Sequence, residues 1–572
     1  MGRQFLPVDR DAPALLPVNM LDWVPEDHVV RLVIDTVEAV ATPELTARLV
    51  PAVRSRKGRR RYDPVMLLTL LAYSYLRGVL STRAIEERCR YDVTFRVACG
   101  KHVPDHVTVS RFRKRACEQD GLMEELFYAV LAACAAAGLG RLTVVAGDGV
   151  KIGANASKEA NRTEAGLERL AAKILAEAEA AADEEAAGAA PRAGVDLLGG
   201  EVLPRGWADP RSRARRVRAC LEDLKAEREA AEAAARAAGQ AYLDGLAAGT
   251  VTGRPPAPVA VAAQQIRVAK AVAAQQALAD AWQARLAAGP GAWKGRSPGR
   301  RPVDPDDAAA VRAARARLDE LAAGAAAEAQ AAEGGQDPGA PKAPVRNVTD
   351  LDSRLMPTRG GGFKQGYNCQ DAAADDRLML GGYVTQDTGD ARQATRLQAA
   401  AVKGAAVVAA AHAAHAADPK LLRACHDRMC ASPEGGTPGH DIAACHTTMT
   451  GGIGTTVYDA GYYSEENISA DGPDRLIATV KRHATGTQAR DHPASGPPPG
   501  DATPAQANDW RLRTPEGRAL YKRRAPDVEG LHASLEDRIG LRRFSLRGLT
   551  AVTGEFLLAG LCHNLLMLSR LT

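Results

Sequence analysis

Apolar side chains recur at helical spacing through the first part of the chain. They repeat every three or four positions in residues 65–80 and again in residues 123–137, a period that puts them on one face of an α-helix. The residues between these runs predict further short helices, with Ser81 and Thr108 as candidate caps. Residues 1–140 are therefore predicted to form a helical domain. A helix–turn–helix and a plain helical bundle fit this pattern equally well.

The middle of the chain, residues 158–342, is dominated by Ala, Glu and Arg, which are strong helix formers. Prolines interrupt the region and predict several separate helices. Alanine buries little area per residue, so we expect thin hairpins or packing against a partner. Trp282 and Trp293 are interpreted as the largest core side chains of these helices. Stacking on an unpaired base is the alternative.

The remaining segments predict alternating strands and helices. Residues 142–157 begin as an apolar, β-branched run and deliver Asp148 beside two glycines, and residues 455–467 deliver Asp459 just past a similar run. Two runs joined at Asp375 and Asp376 predict a strand hairpin. A helix over residues 391–417 and a strand over residues 474–482 follow. Residues 484–508, rich in Pro, Gly, Asp and Thr, predict a loop.

The tail, residues 521–549, predicts a short helix between two arginine clusters. Pro526 suits its first turn and Gly540 suits its end. One face of this helix is apolar and the other carries Glu529, His532 and Glu536. A carboxylate among cations could hold metal ions against a phosphate backbone, and a solvated amphipathic helix is the alternative. Asp before Gly is also a common turn signal, so Asp148 taken alone favours a turn.

Several strings, in a fixed order, resemble the IS1182 group of bacterial insertion-sequence transposases, of the DDE (IS4-like) class. They read RYDPVMLLTLLAYSYLRGVLSTRAIEERC, PDHVTVSRFRKR, NVTDLDSRLMPTRGGGFKQGYNCQ, YDAGYYSEEN, LRRFSLRGL and HNLLML. Independent strings in register are far more specific than one motif. The resemblance implies an α/β protein with an RNase H-like catalytic core over residues 141–157 plus 343–572. The helical domain over residues 1–140 would bind DNA or pair protomers, and residues 158–342 would be a helical insertion.

The resemblance also implies the site. Asp148, Asp459 and Glu529 would be the catalytic carboxylates and the metal ligands. They would hold Mg²⁺, with Mn²⁺ as a substitute, for cleavage at the transposon ends and strand transfer into target DNA. The predicted DNA contacts are Tyr521, Arg524, Arg523, Lys364, Arg111 and Arg113. Three rival carboxylates are interpreted as turn or cap residues: Asp352, Asp387 and Asp390.

One position departs from the family. Its members usually carry Lys seven residues after the third carboxylate, where this chain has Glu536. An acid in place of a phosphate-contacting base reverses the local charge. This departure keeps open a decayed copy that only binds DNA or itself. A host nuclease that hydrolyses DNA without strand transfer would share the three carboxylates and is a further alternative.

Charge and composition limit the partners. The net charge of +5 is small for 572 residues, and the basic residues are instead clustered, for example in residues 54–61 and 522–524. Such clusters fit phosphate contacts. We expect DNA partners, namely the terminal inverted repeats and the target, and a homodimer in the synaptic complex. No signal peptide is recognised and the longest apolar stretch contains Lys403, so we expect no membrane span and a cytoplasmic, nucleoid-associated protein.

One cluster of cysteine and histidine residues contains potential zinc ligands. It consists of Cys425, Cys430, His440 and Cys445. Their spacing matches no common zinc module and lacks a close cysteine pair. Scattered thiols and solvent-facing histidines are the preferred interpretation.

Overall fold

The computed structural model describes residues 19–50, 61–186, 210–290, 293, 299–334, 344–358, 360–415, 452–480 and 482–571. The chain divides into two compact units. The first comprises Met1–Glu159, Asp352–Thr358 and Lys364–Thr572, and the second comprises Ala160–Leu351 and Arg359–Phe363. The potential zinc ligands between residues 425 and 445 lie outside the described residues.

The first unit begins with seven helices. They are α1 Val29–Val40, α2 Pro43–Leu49, α3 Pro64–Leu76, α4 Thr82–Tyr91, α5 Val93–Ala98, α6 His106–Glu118 and α7 Leu122–Ala136. The predicted helices at residues 65–80 and 123–137 are thus confirmed. The start of α3 follows from local chemistry, because Asp63 accepts a hydrogen bond from Met66 N (2.9 Å) and Pro64 occupies the first turn. Asp105, rather than Thr108, caps α6.

A six-stranded sheet forms the centre of the first unit. Its strands are β1 Val144–Gly153, β4 Arg354–Pro357, β5 Phe363–Ala374, β6 Met379–Thr385, β7 Thr455–Tyr458 and β8 Asp474–Ile477. β5 pairs antiparallel with both β1 and β6, and β4 also adjoins it. On the other side β1, β7 and β8 run parallel. The predicted hairpin is confirmed, and Arg377 turns it with a positive φ of 68°.

Helices cover this sheet. After β6, helix α12 (Ala394–His415) packs against β6 and α7. The last helix, α17 (Leu549–Leu568), packs against β6, α3, α6 and α7 and belongs to the main core. Both have the length and composition of a membrane span, but 94% of the apolar window of α17 is buried inside the protein. That burial is typical of a core helix.

Three helices lie between β8 and α17. Two sequence expectations for this region differ from the structure, namely the loop over residues 484–508 and the start of the tail helix. The predicted loop over residues 484–508 contains most of α14 (Arg482–Asp491) and the start of α15 (Pro504–Arg513), and only residues 492–503 between these helices are not helical. A capping box formed by Thr503 and Gln506 explains the start of α15. The short helix α13 (Glu465–Ser469) precedes β8.

The tail helix is longer than predicted. α16 spans Pro515–Ala533, starting from the cap residue Thr514, which accepts a hydrogen bond from Gly517 N at 3.1 Å. Pro526 therefore lies inside the helix instead of starting it. The helix continues into a π-helical turn (Ser534–Arg538), and the segment ends at Gly540, whose φ of +83° suits glycine. α16 packs against β1.

The second unit is helical, apart from a small two-stranded sheet. Strands β2 (Asn161–Thr163) and β3 (Val345–Asn347) pair antiparallel. Its helices are α8 Glu164–Ala186, α9 Pro210–Ala248, α10 Ala257–Ala288 and α11 Ala309–Gly334. A separate core of Leu167, Ile174, Val217, Cys220 and Leu224 joins α8 to α9. The Ala-rich helices predicted here are thus present.

Trp282 and Trp293 in this unit are half-buried. The indole of Trp282 donates to Gly299 O (3.1 Å), and that of Trp293 donates to Arg285 O (2.8 Å). Both N–H groups are therefore used within the unit. Neither side chain is among the buried core residues that the structure describes, so their interpretation as core side chains stays a prediction.

Candidate active site

Asp148 and Asp459 occupy equivalent positions on neighbouring parallel strands. In the register of β1 and β7, Ala146 is opposite Val457. Asp148 lies two residues after Ala146, and Asp459 lies two residues after Val457. β7 ends at Tyr458, beside the middle of β1, so this register places the two carboxylates next to each other where the pairing of β1 with β7 stops. The two apolar runs noted in the sequence deliver the two acids to one place.

Each of these carboxylates uses one oxygen to bind the local backbone. Asp148 Oδ1 accepts from Gly149 N at 2.8 Å, and Asp459 Oδ1 accepts from Gly461 N at 2.8 Å. The other oxygen of each group faces the same cation. Nη2 of Arg524, on α16, lies 2.8 Å from Asp148 Oδ2 and 3.6 Å from Asp459 Oδ2. The arginine therefore bridges the two acids.

This group of charges is largely withdrawn from solvent. Side-chain exposure is 12% for Arg524 and 10% for Asp148, against 37% for Asp459. Burial lowers the pKa of Arg524, but the charges of Asp148 and Asp459 outweigh it and raise that pKa. Burial, together with the charge of Asp148, raises the pKa of Asp459 even though Arg524 opposes the shift. Burial is the larger cause of this raised pKa, and the charge of Asp148 adds to it.

Asp390, interpreted from sequence as a turn or cap residue, adjoins this pair. Its Oδ1 accepts from Asn368 and Gln370 (both 2.8 Å) and pairs with Lys151 Nζ at 3.3 Å. A Cβ at Gly149 would come within 2.8 Å of Asp390 Oδ1, so the glycine after Asp148 makes room for this network. The charge of Asp390 also contributes to the raised pKa of Asp459.

The other two rival carboxylates have local partners. Asp352 accepts from Leu549 N (2.6 Å) at the start of α17, and Asp387 accepts from the Gln393 amide (2.6 Å). Their interpretation as cap and turn residues agrees with these contacts. Of the three rivals, Asp390 is the one beside the acidic pair.

A buried histidine–aspartate pair lies next to Asp148. Asp371 is opposite Asp148 in the β1–β5 register and is fully buried. Both of its oxygens lie 3.1 Å from Nε2 of His532 on α16. Burial lowers the pKa of His532, but Asp371, Asp148 and Glu536 together raise it above its ordinary value. Glu536, the departure from the family pattern, therefore contributes negative charge around a histidine.

Glu529, the predicted third carboxylate, has an exposed side chain on α16. Within the described parts of the chain, no three His, Cys, Asp or Glu side chains are grouped so that they could hold a metal ion. The structure thus brings Asp148 and Asp459 together, with Asp390 beside them, and leaves Glu529 outside a ready-made group of three carboxylates.

The predicted DNA contacts on α16 differ in their surroundings. Tyr521 and Arg524 line a cavity of about 250 Å³ between α14, α15 and α16, together with Arg518 and Lys522. Cationic side chains and a phenol suit an anionic ligand. Arg523 instead forms an ion pair with Asp375 in the β5–β6 turn.

The remaining predicted contacts are spread over other elements. Arg111 is exposed on α6, and Lys364 is half-buried on β5. Arg113 is 6% exposed, donates to Leu80 O (2.8 Å) and faces the buried Glu555, whose charge raises the pKa of Arg113. The buried guanidinium of Arg113 interacts with the charge of Glu555 inside the protein. A DNA contact by this side chain would therefore require α6 to move.

Two family models match parts of the chain. Residues 18–115 match a transposase domain (DUF772), and residues 501–569 match a transposase DDE domain. Both matches indicate an insertion-sequence DDE transposase. The combination of the two domains fits the IS1182 group. No curated protein and no solved structure matches the chain.

The two matched segments include only some of the predicted site residues. The DDE domain match includes Tyr521, Arg524 and Glu529, whereas Asp148 and Asp459 lie outside both segments. A DDE transposase is a DNA-cleaving enzyme that depends on a divalent metal ion. The residues present fit such an ion in chemistry, because the site offers hard carboxylate oxygens and an excess of buried negative charge.

Proposed function

We propose that this transposase cleaves DNA at the carboxylate pair Asp148 and Asp459, with Glu529 as the third member of the site. The observation that carries the proposal is their matched register on β1 and β7, with one arginine shared between them. Two carboxylates held side by side offer the oxygen ligands with which a nuclease can hold a divalent metal ion. Glu529, on the same helix as Arg524, would join them by a shift of α16.

We further propose that the six-stranded sheet belongs to an RNase H-like catalytic core. The support is its order, an antiparallel β6–β5–β1 ribbon extended by the parallel strands β7 and β8. In this proposal residues 141–157 plus 343–572 form the catalytic domain, and residues 158–342 are inserted after the first strand. Residues 1–140 bind DNA or pair protomers. These boundaries stay predictions.

The chemistry assigned to the chain follows from its charges. A divalent ion bound here, Mg²⁺ or alternatively Mn²⁺, would activate water and stabilise the charge on the phosphate and the leaving oxygen. Asp148 and Asp459 are fixed for this role by the backbone N–H groups of Gly149 and Gly461. Tyr521 and Arg524 orient the phosphate from the cavity on α16, and Arg523, Lys364, Arg111 and Arg113 are the further predicted contacts.

The partners follow from this function. Transposases act on DNA, and for this protein we propose the terminal inverted repeats of its element and a target duplex. A homodimer would hold two ends together in the synaptic complex. We propose a cytoplasmic location at the nucleoid, where both DNA partners are found.

The test is cleavage of a duplex carrying the ends of the element by the full-length protein with Mg²⁺. We expect the wild type to cut, and we expect the cleavage rates of Asp148→Asn and Asp459→Asn to be lowered more than about 100-fold. Loss of a residue that only supports a metal ligand costs about 10–100-fold, so a larger loss indicates a direct ligand. Glu529→Gln should fall in the same class. DNA binding, measured by gel shift, should be retained.

The matched control is Asp387→Asn, which removes a carboxylate that bonds Gln393. It should cut within a few-fold of the wild type. Equal cutting by wild type and Asp148→Asn would sink the proposed site, whereas loss of cutting in Asp387→Asn as well would point to general damage of the fold.

A further inference from the structure

The two acids of the site share one cation, and its position is defined by three separate elements. β1 carries Asp148, β7 leads into Asp459, and α16 supplies Arg524. A single nitrogen, Nη2, makes both ion-pair contacts, at 2.8 and 3.6 Å. Since both Oδ1 atoms accept from backbone N–H groups, the two Oδ2 atoms are the ones directed at the guanidinium.

Neighbouring cations are used elsewhere. Lys151 pairs with Asp390 at 3.3 Å, and Arg523 pairs with Asp375. In the described part of the chain, Arg524 is the partner of every ion pair formed by Asp148 or Asp459. One positive charge then faces two carboxylates, with the charge of Asp390 nearby, so the local balance remains negative.

We propose that Arg524 is an exchangeable counter-ion, whose guanidinium stands between Asp148 and Asp459 until a divalent cation takes its place. The inference rests on the proposed metal role of these carboxylates and concerns how that role is controlled. A doubly charged ion balances two carboxylates better than one guanidinium does, but it must first displace a buried, ion-paired arginine. Metal affinity without DNA is therefore held down.

DNA changes this competition. A phosphate at the cavity lined by Tyr521 and Lys522 offers Arg524 another anionic partner. Transfer of the guanidinium to that phosphate leaves the carboxylate pair open to the metal ion. By linkage, the factor by which DNA tightens metal binding equals the factor by which metal tightens DNA binding. The enzyme would thus assemble its metal site mainly on bound DNA.

The experiment is a Mn²⁺ titration of the full-length protein without DNA. Binding is monitored by calorimetry and by the paramagnetic signal of free Mn²⁺. We expect Arg524→Gln to bind Mn²⁺ about 10-fold more tightly than wild type, within the usual range of coupling between sites. Arg524→Lys keeps a cation and should stay near wild type. Arg523→Gln, a neighbour whose partner is Asp375, is the matched control and should leave Mn²⁺ affinity unchanged.

A second measurement uses the wild-type protein and does not depend on the variants folding. A short duplex with an element end should tighten Mn²⁺ binding to wild type, and this gain should be lost in Arg524→Gln. Asp148→Asn should abolish tight Mn²⁺ binding both in the wild-type protein and in the Arg524→Gln variant.

The outcomes separate this inference from the proposed function. Equal Mn²⁺ affinity in wild type and Arg524→Gln, abolished by Asp148→Asn, would overturn the counter-ion role and leave the metal site standing. Mn²⁺ binding that is indifferent to Asp148→Asn would refute the metal site itself, and the counter-ion role with it.

Discussion

At the scale of single residues, α16 buries another charged group close to Arg524. Asp527 is 6% exposed, and its Oδ2 has no hydrogen-bond partner among the described residues. Burial raises the pKa of Asp527 to about 7, although Arg523 and Arg377 oppose the shift. Neutral pH is therefore the range in which this carboxyl changes its charge inside the protein.

Asp527→Asn tests this raised pKa. The folded-state pKa lies above the unfolded value of about 3.9, so the stability that Asp527 contributes is full below that value and is lost as pH rises through about 7. We expect the variant to unfold at a temperature about 1–2 °C higher than wild type at pH 8.5, because about 1 kcal/mol of buried-charge cost is removed. The difference should shrink at pH 5.5.

Asp537→Asn is the control, since Asp537 has an exposed side chain paired with Arg542. It should show no such change with pH. A lower melting temperature for Asp527→Asn at pH 8.5 would mean that the ionised carboxylate stabilises the fold through its arginine neighbours.

Asp148 and Asp459 were assigned through the family resemblance, because the local pattern around Asp148 alone favoured a turn. The contacts that Arg524 and Asp390 make around this pair were not predicted. Asp148 and Asp459 each follow a short apolar run, which is visible in one segment of chain. Arg524 and Asp390 reach the pair only because α16 and the β6–α12 connection fold back onto β1. Such contacts depend on tertiary packing. The local pattern of a single sequence does not show which distant segments will pack together.

At the scale of elements, α12 lies so close to β6 that one position tolerates no side chain. A Cβ at Gly404 would overlap Leu380 O and come within 2.7 Å of Leu380 C. The strand hairpin and the helix were both predicted from sequence. The distance between strand and helix was not, because it is set by which small residues meet across the interface.

Gly404→Ala should destabilise the first unit by about 1–3 kcal/mol, the usual cost of overpacking, because α12 must move away from β6. Gly486→Ala in α14 is the matched helical control, as a Cβ there meets nothing within 4 Å. It should be neutral or stabilising by up to about 1 kcal/mol, since alanine favours the helix. Thermal and urea unfolding would measure both, and a Gly404→Ala protein as stable as wild type would show that the interface adjusts freely.

The start of α16 illustrates a limit at the same scale. Proline is favoured in the first turn of a helix, so Pro526 indicated a start, but Thr514 and Pro515 provide an earlier cap of the same kind. Packing of α16 on β1 outweighs the hydrogen bond lost at Pro526. Local rules therefore located the helix but misplaced its beginning.

At the scale of the whole molecule, the two units have separate hydrophobic cores. The core of Leu167, Ile174, Val217, Cys220 and Leu224 shares no described residue with the main core of the first unit. The sequence indicated this division through composition, because Ala, Glu and Arg dominate residues 158–342. The predicted domain limits stay predictions, but the separate cores make their independence measurable.

Two buried leucines, each fully enclosed in a different core, provide that measurement: Leu167 in α8 and Leu558 in α17. Truncation to alanine should cost about 2–5 kcal/mol at either position. We expect Leu167→Ala to speed hydrogen–deuterium exchange in α8 and α9 and to leave α17 and β1 unchanged, because local opening follows the core that is damaged. Leu558→Ala should do the reverse, and faster exchange in both units from either variant would mean that they unfold as one cooperative body.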